Sequence, residues 1–428
     1  MKLMADKTRK KYLILTFNVC NLGGGQLYVL RRAKYLKAKG YDIHIVVTFH
    51  TNYFPLEENF KDFSLYVIPE MGRPSATVSK SKVNLLISDI LNKVGVSTEL
   101  LIETHTLETI EWGELIASQC GAKHLAYPLA EPKVSKYKFN PGVRIFWDKL
   151  RTNSFYGCTS TSLKQIFEEN TVPANYVNIG YDENEMIEKC EPSINYSVKN
   201  GDYVITTVTR LDKTYVEPLV ESTVQLAQKY SQQQFVLLIA GGSKTKGREE
   251  FLFSNFSNER FKLPNLNIIY TGYIEKLGKD IFNISNVFVG MGTASINAIS
   301  QGCLTINIDP NNGMKYASGF FGEDTCNFAY SESGKLFTIL EKLEEAYLLS
   351  DEEIKKRKEK SRKLYENEFE TLSCFKKIDQ LFDSIMPSVI NKRYEISDFY
   401  RLRVQTLTGI KKVIHSILYL FQSHNVKI

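Results

Sequence analysis

The chain has 428 residues, too many for one ordinary hydrophobic core, so two domains and an appendage are expected. With 43% hydrophobic and 24% charged residues it is a folding chain, and its seven cysteines, scattered, odd in number and without a CxxC pair, argue against a disulfide framework or a zinc site. The net charge of +6 is concentrated: from residue 386 on, seven Lys and Arg stand against Glu395 and Asp398, which leaves a near-neutral body and disfavours a nucleic-acid enzyme.

The basic opening is followed by an apolar run, Tyr12–Phe17, too short for a signal peptide and read as a first strand. Gly23, Gly24 and Gly25 then form a loop, and an amphipathic helix is expected over Gln26–Lys39, stopped by Gly40. Asp42–Thr48 is the next strand, and a strand, glycine loop, helix and strand in that order imply a right-handed βαβ crossover. Further strands are expected over Ser64–Ile68, Glu99–Glu103 and Lys123–Tyr127, with helices over Lys80–Lys93, Ile110–Gln119 and Leu163–Glu169.

After a loop over 182–201 the alternation resumes. Strands are expected over Tyr203–Val208, Gln234–Ala240, Asn267–Tyr270, Val287–Val289 and Leu304–Ile308; helices are expected over Pro218–Tyr230, over Leu277–Asn283 and from Ala294. Two such halves of about 190 residues give an α/β protein of two doubly wound, Rossmann-like domains facing a cleft. The expected division is 1–188, 189–385 and a basic helical tail, 386–428. In that tail Leu407, Ile410, Val413, Ile414, Ile417, Leu418, Leu420 and Phe421 fall within one arc of roughly 160° on a helical wheel. Such a helix suits an anionic membrane surface, and equally the protein's own body or a partner chain. No stretch has the length of a membrane-spanning helix, so a cytoplasmic protein, peripheral on the inner face of the plasma membrane, is expected.

Two motifs fail. The run from Gly241 to Glu249 imitates a phosphate-binding P-loop, but Gly247 is followed by Arg248 and Glu249 rather than Lys and Ser/Thr. No His, Cys or Asp cluster has metal-ligand spacing, so no metal and no cofactor are expected.

Four stretches in fixed order carry a resemblance: NLGGGQLYVLRRAKYLKAKGYDIHIVV, VPANYVNIGYDENEM, VITTVTRLDK and SNVFVGMGTASINAISQGCLTIN. Together they resemble the large retaining family of GT-B glycosyltransferases (family 4-like, group 1) over residues 12–385. The resemblance implies an N-terminal acceptor domain, a C-terminal nucleotide-sugar donor domain and the nucleotide sugar as a substrate. It implies that Arg210 and Lys213 hold the donor diphosphate as catalytic cations, a guanidinium fork and a point charge meeting charge that grows on the leaving oxygens. The residues alone also allow both to be surface groups paired with Asp212 or Glu217.

Donor binding is further implied for Gly24 and Gly25, for Gly242, for Tyr273 beside the base, and for the turn Gly290, Met291, Gly292, Thr293, Ala294, Ser295 and Asn297. There a glycine loop feeds a helix N-terminus that can meet an anion. His105 and Glu131, at strand ends, are candidates for contacts with sugar or acceptor, or for packing. The chain departs from the family in two ways. Tyr215 stands where the family's Lys follows the Arg, and Val289 and Asn297 stand where the family carries two Glu.

The function expected is transfer of a sugar, with retention, from a UDP-linked donor to a glycan or lipid-linked acceptor in bacterial surface polysaccharide synthesis. The rivals are a non-catalytic GT-B subunit that supports a partner transferase and a sugar-nucleotide epimerase.

Overall fold

The structure is a computed structural model that describes residues 10–19, 24–49, 59–95, 99–137, 142–194, 196–243, 247–256, 261–274, 276–323, 331, 333–391, 394–397 and 400–407. Most of the tail helix expected over Gln405–Ser423 lies outside them. The chain divides into two compact units, Gly180–Cys374 on the one hand and the residues up to Ile179 with those from Phe375 on the other.

The first unit holds β1 (Lys11–Thr16), α1 (Gly24–Ala38), β2 (Asp42–Val47), β3 (Ser64–Val67), α2 (Lys80–Val94), β4 (Leu100–Thr104), α3 (Leu107–Cys120), β5 (Lys123–Ala126), α4 (Val143–Arg151) and α5 (Ser162–Phe167). Its sheet is parallel, in the order β3-β2-β1-β4-β5. Strand residues alternate faces. Leu13 and Leu15 enter one core with Ile87, Ile90, Trp112 and Ile116 of α2 and α3. On the opposite face of β1 and β4, Tyr12 and Glu103 meet α1. Gly24 and Gly25, expected in a loop, form the first turn of α1.

The second unit holds β6 (Tyr203–Val208), α6 (Val216–Lys229), β7 (Phe235–Ala240), α7 (Arg248–Phe256), β8 (Leu266–Tyr270), α8 (Asp280–Asn283), β9 (Val287–Gly290), α9 (Thr293–Ser300), β10 (Thr305–Ile308), β11 (Tyr316–Phe320), β12 (Phe337–Thr338), α10 (Ile339–Leu348) and α11 (Asp351–Leu364). The sheet order is β12-β11-β10-β9-β6-β7-β8; β11 and β12 run antiparallel at one edge and the rest are parallel. The β-branched run of β6 and the apolar run of β7 are buried on both faces, as a sheet covered by helices requires.

Three expectations are corrected. The helix expected over Leu277–Asn283 shrinks to α8, because Lys276 and Lys279 donate their N–H groups to Glu191 and Ile187, and a Cβ on Gly278 would lie 2.3 Å from the Cys190 nitrogen. The chain enters the second unit at Gly180 rather than after residue 188, since 187–191 pair with 276–280. The helix α12 (Thr371–Ser384) leads the chain back to the first unit. There Asp379 meets Arg32 at 2.8 Å and Ser388 donates to Glu114 at 3.1 Å.

Both anchors of that return are buried charge clusters. The Arg32 guanidinium faces Glu103 at 3.3 Å, and Tyr12, Tyr28 (2.6 Å) and His105 (2.9 Å) complete the carboxylate's partners. Burial by itself would raise the Glu103 carboxyl, but the His105 hydrogen bond and the Arg32 charge outweigh it and hold it at about 2. In the second cluster Glu114 meets His124 and Lys149, each at 2.8 Å. Burial, then the Lys149 charge, pushes His124 down to about 4.

Candidate functional site

Doubly wound sheets place ligands beyond the carboxyl ends of their strands, where the strand order switches. In the second unit that switch lies between β6 and β9, which are neighbours in the sheet.

The residues after β6 are sorted by burial. Leu211 is fixed inward by its N–H on Gly242 O (3.0 Å), and Tyr215 is fully buried with its hydroxyl on Thr207 Oγ1 (3.0 Å). Between them the chain turns, Lys213 N–H returning to Arg210 O, so that Arg210 is exposed and Lys213 half-buried. Tyr215, the position at which the family has its Lys, is therefore part of the core. Lys213 is the lysine at the strand end, its Nζ 3.6 Å from Met291 Sδ in the glycine turn after β9.

The pairings that would make these two cations ordinary surface groups are taken up elsewhere. Glu217 binds Arg248 at 2.8 Å and Asp212 accepts from Ser243 Oγ at 2.6 Å. Burial, then the positive charge of Arg210, lowers the Lys213 ammonium, and no carboxylate among the described residues offsets either cation. Two like charges held together with no counter-ion among the described residues make a local positive potential that an anion relieves.

The turn after β9 faces the same place. Gly292 has φ 62° and ψ −137°, a conformation that L-residues avoid, and it opens α9 without any side-chain cap. The first N–H groups of α9, from Thr293 on, thus lack intrahelical acceptors. Thr293 and Ala294 are half-buried. Ser295 is fully buried, and its hydroxyl has no partner among the described residues; neither has the half-buried Asn297's Oδ1. Val289 is wholly buried in the core on β9, so that position presents no polar group.

Gly242 and Tyr273 adjoin this cluster at the ends of β7 and β8. A Cβ on Gly242 would lie 3.2 Å from that of Tyr273, whose side chain is exposed. Gly241, at φ 140°, has no room for a side chain: a Cβ would stand 1.8 Å from Thr209 O. Gly241→Ala is expected to push the β7 end away from Thr209, costing about 1–3 kcal/mol of the second unit's stability, to be checked by urea denaturation.

In the first unit the switch lies between β1 and β4. His105 follows β4, is buried, and has its Nδ1 without a partner among the described residues. Its carbonyl accepts from Leu129 N–H (3.2 Å), and the Leu129 side chain lies against Gly25 (3.5 Å from its ideal Cβ). Glu131 accepts from Ser162 Oγ at 3.1 Å, at the start of α5. The structure thus gathers Arg210, Lys213 and residues 290–297 about one strand junction, with Gly242 and Tyr273 beside it. It places Gly25 with His105 in the other unit and ties Glu131 to α5.

One segment escaped sequence reading. Asn312, Gly313 and Met314 after β10 all have positive φ, and Gly313 O accepts from Thr214 Oγ1 at 2.5 Å, which fixes this loop to the turn that carries Lys213. The Asn-Asn-Gly run was the available signal, since these residue types tolerate the left-handed region. Among the described residues no group of three His, Cys, Asp or Glu is placed to hold a metal ion.

No protein-family model matches the chain, and no curated protein sequence matches it. Solved structures do match in shape. A glycosyltransferase from Rickettsia africae is 16% identical with a TM-score of 0.59, covering 88% of this chain and 98% of its own. HepE from Anabaena, solved with UDP, is 12% identical at 0.58, covering 88% and 100%. Sucrose-phosphate synthase from Thermosynechococcus elongatus is 14% identical at 0.56, covering 88% and 98%. The fold is the GT-B fold of these transferases.

Proposed function

We propose that the chain is a glycosyltransferase that moves a sugar from a UDP-linked donor to a glycan or lipid-linked acceptor. One observation carries the reading: Arg210 and Lys213, without a counter-ion among the described residues, stand with the Gly292 turn and the uncapped start of α9 at a single strand junction. That arrangement suits a diphosphate. As the bond from the anomeric carbon to the phosphate oxygen breaks, the electron pair stays on the diphosphate, and fixed cations and oriented N–H groups stabilise the charge without reorganising. The exposed Tyr273 ring beside Gly242 suits the nucleobase. The UDP in the HepE structure supports this choice of base. Retention of configuration, and a place in bacterial surface polysaccharide synthesis, extend the proposal from the family resemblance.

The second reading is a non-catalytic GT-B subunit. Val289, buried in the core, and Asn297 favour it, because neither supplies a carboxylate at the donor sugar. Thermal melts with UDP, GDP, ADP and CDP separate the readings. UDP is expected to raise the melting temperature, by the equivalent of about 2.7 kcal/mol at a hundredfold excess over Kd, and Lys213→Ala to diminish the shift. Absence of a shift with every nucleotide overturns the transferase. Binding of UDP without release of sugar from any UDP-sugar favours the subunit.

A further inference from the structure

Asn307 of β10 lies in register with Gly290 of β9, and the two strands are parallel. Two residues on, Asp309 therefore leaves the sheet on the same edge as the Gly290–Thr293 turn. Its N–H donates to Tyr316 O at 2.9 Å, which closes the hairpin to β11.

Asp309 is only 4% exposed. A carboxylate so buried is ordinarily matched by a cation or by several N–H donors. Here no Lys, Arg or His among the described residues pairs with it. What it meets among them is Asn311, by the backbone N–H at 2.8 Å and by the side-chain amide. Burial raises the carboxyl above its ordinary value, and those bonds offset it only in part. An ionised carboxylate has about four acceptor positions, so Asn311 leaves some of them open.

The loop after it is strained and clamped. Asn312 and Met314, neither of them glycine, are held at φ 52° and 58°, with Gly313 at 69° between them. Such backbone is costly and concentrates where a site needs it. Thr214 Oγ1 donates to Gly313 O at 2.5 Å and so ties the loop to the turn that carries Arg210 and Lys213. The carboxylate thus has two fixed anchors, the end of β9 through the sheet and the cationic turn through the loop.

We propose that Asp309 reads the sugar of the donor, its carboxylate accepting hydrogen bonds from the sugar hydroxyls. The inference rests on the donor site proposed above and supplies what that site lacks. The cations and free N–H groups that suit a diphosphate are donors only, whereas sugar hydroxyls also need an acceptor. With Val289 in the core and an amide at Asn297, β9 and α9 bring no carboxylate to the turn. β10 brings one, and no cation of the described fold engages it.

Calorimetric titration of the full chain with UDP, UDP-glucose, UDP-galactose, UDP-N-acetylglucosamine and UDP-N-acetylgalactosamine tests the assignment. Asp309→Asn keeps an acceptor for the Asn311 N–H and removes the charge. It is expected to weaken the tightest-binding UDP-sugar about tenfold to a hundredfold and to leave UDP unaltered. An Asp309→Asn protein that binds every UDP-sugar as the unchanged protein does overturns the inference. So does a loss that extends equally to UDP, which marks a displaced loop rather than a missing sugar contact. Failure of the unchanged protein to bind UDP overturns the donor site itself, and the inference with it.

Discussion

Arg210→Ala is expected to lower turnover of the sugar donor by about 10²–10³-fold, measured as sugar released or transferred per enzyme, with the melting temperature unchanged. The two outcomes separate because the side chain is exposed and has no ion pair among the described residues, so its removal takes nothing from the folded core. What it takes is a fixed positive charge where the leaving diphosphate gathers negative charge. Its neighbour cannot replace it: Lys213 is half-buried, and its ammonium is lowered by burial and by Arg210 itself. Arg210→Lys is expected to restore only part of the rate, because an ammonium keeps the charge and loses the two-pronged contact. Unaltered turnover in Arg210→Ala would place the diphosphate elsewhere.

Arg32→Ala is expected to destabilise the first unit by about 3–5 kcal/mol, read from its denaturant transition. Arg32 and Glu103 are both fully buried. Without the guanidinium, a carboxylate remains in the interior, and α12 loses the ion pair to Asp379 and the contact of Arg32 with the Phe375 ring at 5.3 Å. The sign of the pH dependence follows from Glu103. Its folded value of about 2 lies below the ordinary 4.5, so its contribution is complete above 4.5 and is lost as pH falls toward 2. Glu103→Gln should flatten that acid limb. A limb as steep as in the unchanged protein would show that other carboxylates set it.

Much of the architecture was readable along the chain because strand and helix periods are local. The β-branched run Tyr203–Val208 was placed to the residue, and the parallel strands β1 to β10 were found within a residue or two. What escaped depended on partners distant in sequence. α7 follows a segment that imitates a P-loop, and β11 returns antiparallel onto β10, where no crossover helix marks it. The buried role of Glu103 was hidden for the same reason. Tyr12, Tyr28 and Arg32, which surround it, come from β1 and α1, far from it along the chain.

The candidate site divides in the same way. The glycine turn at 290–293 and the Arg after β6 are sequence features, since a helix entered through glycine needs no distant partner. Which lysine serves them is a tertiary matter. By spacing, Lys213 and the position of Tyr215 compete; packing decides, because Tyr215 is drawn into the core by Thr207 and Lys213 is left over Met291. Residue order and period fix what each segment can become and where charge accumulates, as in the tail. Burial, which depends on every neighbour at once, decides which polar groups are consumed in holding the fold and which remain for a ligand or a surface.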